Sequence, residues 1–115
     1  ERDALYAAIL GAPEILFVAA AGNDGADAGF AEILPSTLSA PNLITVGAVD
    51  KAGREALFTS FGDTVVLYAN GVEVMSRLPG GRTLAGLSGT SMASPQVANA
   101  AAKLFAMKPS LSATD

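Results

Sequence analysis

Two seven-residue runs without a charged side chain set the strongest limit on how this chain can fold. They are residues 15–21 (ILFVAAA) and residues 43–49 (LITVGAV). A strand with one face in water alternates apolar and polar residues, whereas these runs are nearly continuous, as in a parallel sheet covered on both faces. Both runs are also far shorter than the ~20 apolar residues that a membrane-spanning helix needs. We therefore expect an α/β fold with a parallel sheet, and no membrane contact.

The composition agrees with a buried sheet and argues against several classes of function. Half of the 115 residues are hydrophobic and 16% are charged, which suits one domain with the character of the interior of a larger α/β protein. The formal net charge is −4 and the Lys and Arg residues are scattered, so no nucleic-acid partner is expected. Cysteine and histidine are both absent, which excludes disulfides and argues against a zinc site. No signal peptide is visible at the start.

Turn signals divide the chain into a series of elements. Gly11 and Pro13 end a first helix, and Pro95, which lacks an N–H group, fits only the first turn of the last helix. The predicted elements are a helix over 1–10, strands over 14–21, 43–49 and 65–69, a hairpin of 72–76 with 83–87, and a helix over 91–107. The last helix carries an apolar stripe of Met92, Val97, Ala101, Leu104 and Phe105. Helical patterns at both termini indicate a fragment of a longer domain.

The stretch Gly89-Thr90-Ser91, directly before the last helix, carries the clearest chemical signal. A serine there has an exposed hydroxyl and an outward N–H at the positive end of the helix dipole, which suits acyl transfer. Serine is also a favoured helix N-cap, so an ordinary cap is the alternative. A nucleophilic serine needs a base, and the usual base, histidine, is missing from the chain. The local spacing leaves both interpretations open.

Further polar residues lie in the loops. Asn23 follows the first strand, where its amide could donate to an oxyanion, although Asn-Asp-Gly is also a plain turn sequence. The loop carboxylates lack the spacing of a calcium site, so solvated charge is their expected role; they are Asp24, Asp27 and Asp63. The small residues 19–22 fit a tight strand interior or the wall of a peptide-binding pocket.

Four stretches in order along the chain match the signatures of one family. Residues 18–23 read VAAAGN, residues 43–49 LITVGAV, residues 58–62 FTSFG and residues 89–95 GTSMASP. They resemble the A-A-G-N, V-I-x-V-G-A, F-S-S-x-G and G-T-S-M-A-[ST]-P stretches of the subtilisin-like serine proteases, the subtilases, over about residues 1–112. The resemblance implies a three-layer αβα sandwich around a parallel sheet. Residues 1–115 would be the C-terminal portion of the catalytic domain, with a small β-hairpin before the nucleophile helix.

The resemblance also implies roles for individual residues. Ser91 matches the nucleophile, and Asn23 matches the side-chain donor of the oxyanion hole, assisted by the Ser91 N–H. The positions that match substrate-binding residues are Ala20, Ala21, Gly22 and Thr90. The implied activity is that of a serine endopeptidase, acting on polypeptides in a secreted or periplasmic location. No organic cofactor and no metal ligand are implied; structural calcium is common in the family, but no site is legible here.

The chain departs from the family pattern at three positions and by one absence. Gln96 stands where the signature has His, Asn99 where it has Gly, and Asn70 where the family has the Pro of A-P-G. The catalytic Asp and His of the family precede the serine in chain order, so they are expected upstream of residue 1, in the rest of the same domain. The 115 residues alone are therefore predicted to be inactive. The alternatives are a non-catalytic, peptide-binding subtilase-like domain and an unrelated α/β module with a capping serine.

Overall fold

The structure, a computed structural model, describes all 115 residues and contains two helices and five strands. In chain order they are α1 (Arg2–Leu10), β1 (Phe17–Ala20), β2 (Leu43–Val49), β3 (Val65–Asn70), β4 (Val74–Arg77), β5 (Thr83–Leu87) and α2 (Thr90–Met107). The predicted boundaries of β2 and β5 are confirmed, and those of β3 and α2 differ by one residue at one end. Neither helix is long and apolar enough to cross a membrane.

A three-stranded parallel sheet forms the centre, with β2 between β1 and β3. Its central strand is the most deeply buried element, since Val46 and Ala48 are fully inaccessible to solvent. The antiparallel pair β4–β5 forms a separate hairpin around the turn at residues 79–81. These pairings confirm the expected parallel sheet and the small hairpin before the last helix.

The two faces of the sheet carry separate cores, because alternate side chains of each strand point to opposite faces. On one face Ile9 of α1 packs with Ala19 and Leu43. On the other face Ala93 of α2 packs with Val46 and Ala48. Helices therefore cover both faces, which is the predicted αβα arrangement.

The first strand is shorter than predicted. Residues 14–16 lie in a turn rather than in β1, and Ile15 is half exposed. The cause is Asn42, whose buried Nδ2 donates to the carbonyl oxygens of Ile9 at 2.9 Å, Ala12 at 3.0 Å and Ile15 at 3.1 Å. These three carbonyls must converge on one amide, so the chain cannot be extended between them.

The predicted stripe of α2 is only partly buried. Val97, Ala101 and Phe105 are half-buried, but Leu104 is 56% exposed. The whole chain exposes 7013 Å², against about 5,800 Å² for a self-contained monomer of this mass. The exposed large hydrophobic residues include Val66 and Leu67 of β3 and Leu104 and Met107 of α2.

Candidate active site

The C-terminal end of β1 meets the N-terminal end of α2, and this junction contains the predicted site. The Ala21 N–H continues the sheet pairing by donating to the Val46 carbonyl at 2.9 Å. Gly22 then turns the chain with a φ of 107°, a conformation that favours glycine, and its carbonyl accepts the Ser60 N–H at 2.9 Å. Asn23 follows at the surface, where its side chain faces the start of α2.

The serine of the junction does not cap its helix. Helix α2 begins at Thr90, and its N-cap is Gly89, which has no side chain to make a capping hydrogen bond. Ser91 is the second helical residue, and its hydroxyl is exposed and bonded to no other group of the chain. The interpretation of Ser91 as an ordinary N-cap is therefore wrong, because the helix starts one residue before it.

Thr90 fixes the orientation of the Asn23 amide. The Asn23 Oδ1 accepts two hydrogen bonds, from the Thr90 N–H at 2.8 Å and from the Thr90 hydroxyl at 2.9 Å. The same hydroxyl accepts the Gly22 N–H at 3.1 Å, and Thr90 is only 1% exposed. Since these partners occupy the oxygen of the amide, its Nδ2 is the end left free to donate outward.

The space above Gly89 lies between two hydrogen-bond donors. A Cβ placed on Gly89 would stand 3.5 Å from the Asn23 Nδ2, 3.8 Å from the Asn23 Oδ1 and 3.8 Å from the Ser91 nitrogen. The Ser91 N–H has no acceptor in the chain, as expected for the first turn of a helix. Gly89 itself has φ 156° and ψ 158°, a region open essentially to glycine alone. Two donors without a partner in the chain therefore lie near one point at the positive end of a helix, where a negatively charged oxygen would be stabilised.

The structure also places the residues that were expected to bind substrate. Ala20 and Gly22 are half-buried at the end of β1, and Ala21 is fully buried. The Thr90 hydroxyl points inward and bonds to Asn23 and Gly22, so Thr90 positions these two residues. Sequence reasoning missed this positioning role, because no local sequence pattern connects residue 90 with residue 23.

The loop carboxylates lie outside this arrangement. The Asp27 Oδ1 accepts the Gly29 N–H at 2.8 Å, which closes a local turn. No group of three or more acidic residues gathers in a form that could hold a metal ion. Of the carboxyls with a shifted pKa, Asp50 lies in the turn after β2, where hydrogen bonds from Arg54 hold its pKa below the ordinary value. The two hydrogen-bond donors beside Gly89, the Asn23 Nδ2 and the Ser91 N–H, are both uncharged amide groups.

The sequence of this chain is similar to known proteins of one family. The model of the Subtilase family, Peptidase S8, matches residues 3–115. The subtilisin-like serine protease Pen ch 13 of Penicillium rubens is 46% identical over 89 residues, 77% of this chain and 21% of its own length. Subtilisin of Bacillus pumilus is 42% identical over 95 residues, 83% of this chain and 34% of its own length.

A solved structure extends the likeness to the backbone. The crystal structure of a cold-adapted subtilisin-like serine proteinase superposes with a TM-score of 0.87 and 33% identity, covering 98% of this chain and 40% of that chain. This chain thus spans between about a fifth and two fifths of the relatives described here.

Proposed function

The chain belongs to the subtilase family, and from that premise we propose that it is the C-terminal portion of the catalytic domain of a serine endopeptidase. The proposal is supported by the match of nearly the whole chain to 40% of a subtilisin-like proteinase. The remaining part of such a domain would lie upstream and would cover the apolar surface that this chain exposes.

In the proposed reaction the Ser91 Oγ attacks the carbonyl carbon of a peptide bond. Its proton passes to a histidine of the upstream part, since residues 1–115 contain no histidine. The carbonyl oxygen becomes negative in the tetrahedral intermediate, and the Asn23 Nδ2 and the Ser91 N–H donate to it. The observation that carries the proposal is that the Asn23 Nδ2 and the Ser91 nitrogen lie 3.5 Å and 3.8 Å from the same point beside Gly89, next to an exposed serine.

The surroundings support a polypeptide as substrate. The end of β1 lies directly before Asn23, and we propose that residues 20–22 line the pocket for the side chain before the scissile bond, with Thr90 behind them. No cofactor enters the proposed reaction, and from the family resemblance we propose a secreted or periplasmic location.

The first test uses a fluorophosphonate probe, which labels a serine only when a base activates it. The full-length protein that contains this chain should be labelled and should hydrolyse a casein substrate. Ser91→Ala should abolish both, because the nucleophile is lost. Ser110→Ala is the matched control, since Ser110 is exposed and lies outside α2.

The outcomes separate the two classes of function. Labelling that survives Ser91→Ala would overturn the assignment of the nucleophile. A full-length protein that binds peptides without being labelled would instead be a non-catalytic binding domain. The isolated 115 residues should not be labelled, because an unactivated serine hydroxyl remains protonated.

A further inference from the structure

Two of the departures from the subtilase signature, Gln96 and Asn70, lie in direct contact. The Gln96 Nε2 donates to the Asn70 carbonyl oxygen at 2.6 Å and to the Met92 carbonyl oxygen at 2.9 Å. Because both neighbours are acceptors only, the NH₂ end of the amide must face them. One side chain thus joins the first turns of α2 to the last residue of β3.

The segment that Gln96 holds is pressed against the residue that precedes the site. Gly71 follows Asn70, and its carbonyl accepts the Gly89 N–H at 2.8 Å while its own N–H donates to the Val49 carbonyl at 2.9 Å. A Cβ on Gly71 would lie 2.7 Å from the Gly89 oxygen, so the two backbones touch. A displacement of residues 70–71 therefore moves Gly89, which defines the space between the two donors.

Asn70 also stiffens this segment from within. Its Oδ1 accepts the Val72 N–H at 3.2 Å, which closes a local turn of the kind that a proline would otherwise favour by its fixed φ. The hydroxyl of Ser88 accepts the Glu73 N–H at 3.0 Å and ties the same segment to the residue before Gly89. Side-chain hydrogen bonds thus hold the segment in place, and that from Gln96 is the one that comes from α2.

We propose that Gln96 is a positioning residue for Ser91. Its amide holds the end of β3 against Gly89 and so fixes the position of Ser91 relative to the space beside Gly89 where the oxyanion would bind. This inference rests on the proposed function. A glutamine side chain can donate two hydrogen bonds at every pH, whereas a neutral histidine at this position could donate only one. The groove beside Gln96 is lined otherwise by apolar residues, so no other side chain there can replace its donation.

The test is Gln96→Glu in the full-length protein, which keeps the size of the side chain and replaces the NH₂ by an acceptor. At pH 8 the carboxylate repels both carbonyl oxygens, and we expect kcat to fall about 3- to 10-fold, the equivalent of one lost hydrogen bond, with KM within twofold. The ratio of kcat for Gln96→Glu to kcat for the unsubstituted protein should rise toward one as pH falls from 8 to 4, because the ordinary pKa of a Glu side chain is about 4.3 and only its protonated form donates again. Taking the ratio cancels the titration of the catalytic base.

Asn99→Asp provides the matched control, since it adds the same charge to the exposed surface of the same helix and lies outside the junction. It should leave kcat within twofold. Gln96→Ala should lower kcat at pH 8 by a smaller factor and show no recovery at low pH. Thermal unfolding of each variant above the assay temperature ensures that folded enzyme is compared.

The possible failures are distinguishable. If the unsubstituted protein does not hydrolyse peptides, the proposed function and this inference both fall. If it hydrolyses them through Ser91 but Gln96→Glu and Gln96→Ala keep the full kcat, only the positioning role of Gln96 is overturned. A loss of kcat in Gln96→Glu that does not change with pH also contradicts it, because the donor would then be irrelevant.

Discussion

The two ends of α2 are built in opposite ways. At its start, Thr90 is 1% exposed and Ala93 is fully buried, and hydrogen bonds join this end to the turn after β1 and to the last residue of β3. At its far end, Leu104 is 56% exposed and Met107 is 82% exposed, with no such bonds. The first turn of α2 is therefore packed and hydrogen-bonded within this chain, whereas its last turns are exposed.

This difference teaches which part of the site depends on the rest of the domain. The position of Ser91 relative to Asn23 is set by directional hydrogen bonds within residues 1–115. The apolar second half of α2 borders a groove of about 370 Å³ lined by residues such as Leu16, Phe105 and Leu111, and apolar surface of this kind gains stability only when another surface covers it. The contact between Asn23 and the start of α2 is thus fixed within this chain, while the packing of the second half of α2 is not.

The largest expected effect comes from removing the Asn23 Nδ2, the free hydrogen-bond donor at the buried start of α2. In the full-length protein, Asn23→Ala should lower kcat by about 10²–10³-fold, the range found when a subtilisin loses one oxyanion-hole donor. Asn23→Asp separates donation from folding, because it keeps the oxygen that accepts from Thr90 and loses the NH₂. Steady-state kinetics should show the loss in kcat for both variants. A kcat within twofold of the unsubstituted protein would remove Asn23 from the oxyanion space.

The next effect concerns the uncovered end. If the upstream part of the domain packs on the second half of α2, Leu104→Gln should destabilise the full-length protein by about 2–4 kcal/mol, since it buries an amide in place of an apolar side chain. Lys103→Gln, one position away and exposed, should change stability by less than about 0.5 kcal/mol. Chemical unfolding measures both. Equal small changes would show that this face of α2 stays in water.

The smallest expected effect comes from removing the Thr90 hydroxyl, which is hydrogen-bonded to Asn23. Thr90→Val keeps the shape of the side chain but removes the hydroxyl that serves Gly22 and Asn23. The loss should destabilise the full-length protein by about 1–3 kcal/mol, because the Gly22 N–H is left without its acceptor. Thr83→Val, on the exposed hairpin strand β5, is the matched control and should be nearly neutral. Identical melting temperatures for the two variants would contradict the role of Thr90.

Sequence reasoning worked where a local rule decides the structure. The predicted start of α2 was wrong by only one residue, although Pro95, expected near the first turn, is the sixth residue of α2 and lies inside the helix. The uncharged run of residues 43–49 became β2 without change at either end. The prediction for residues 14–16 failed because their conformation depends on Asn42, some thirty residues along the chain, which collects three carbonyl groups.

The sequence by itself determined the order of the elements, the αβα class and the family, since periodicity, turn residues and short signatures are properties of neighbouring residues. Only the tertiary structure decided that Ser91 is not a cap, that Thr90 holds the Asn23 amide by its oxygen, and that Gln96 reaches Asn70. Those bonds join residues 67 and 26 positions apart. A hydrogen bond depends on its angle and on a donor–acceptor distance defined within a few tenths of an ångström. Packing of the whole sheet and helix sets that geometry.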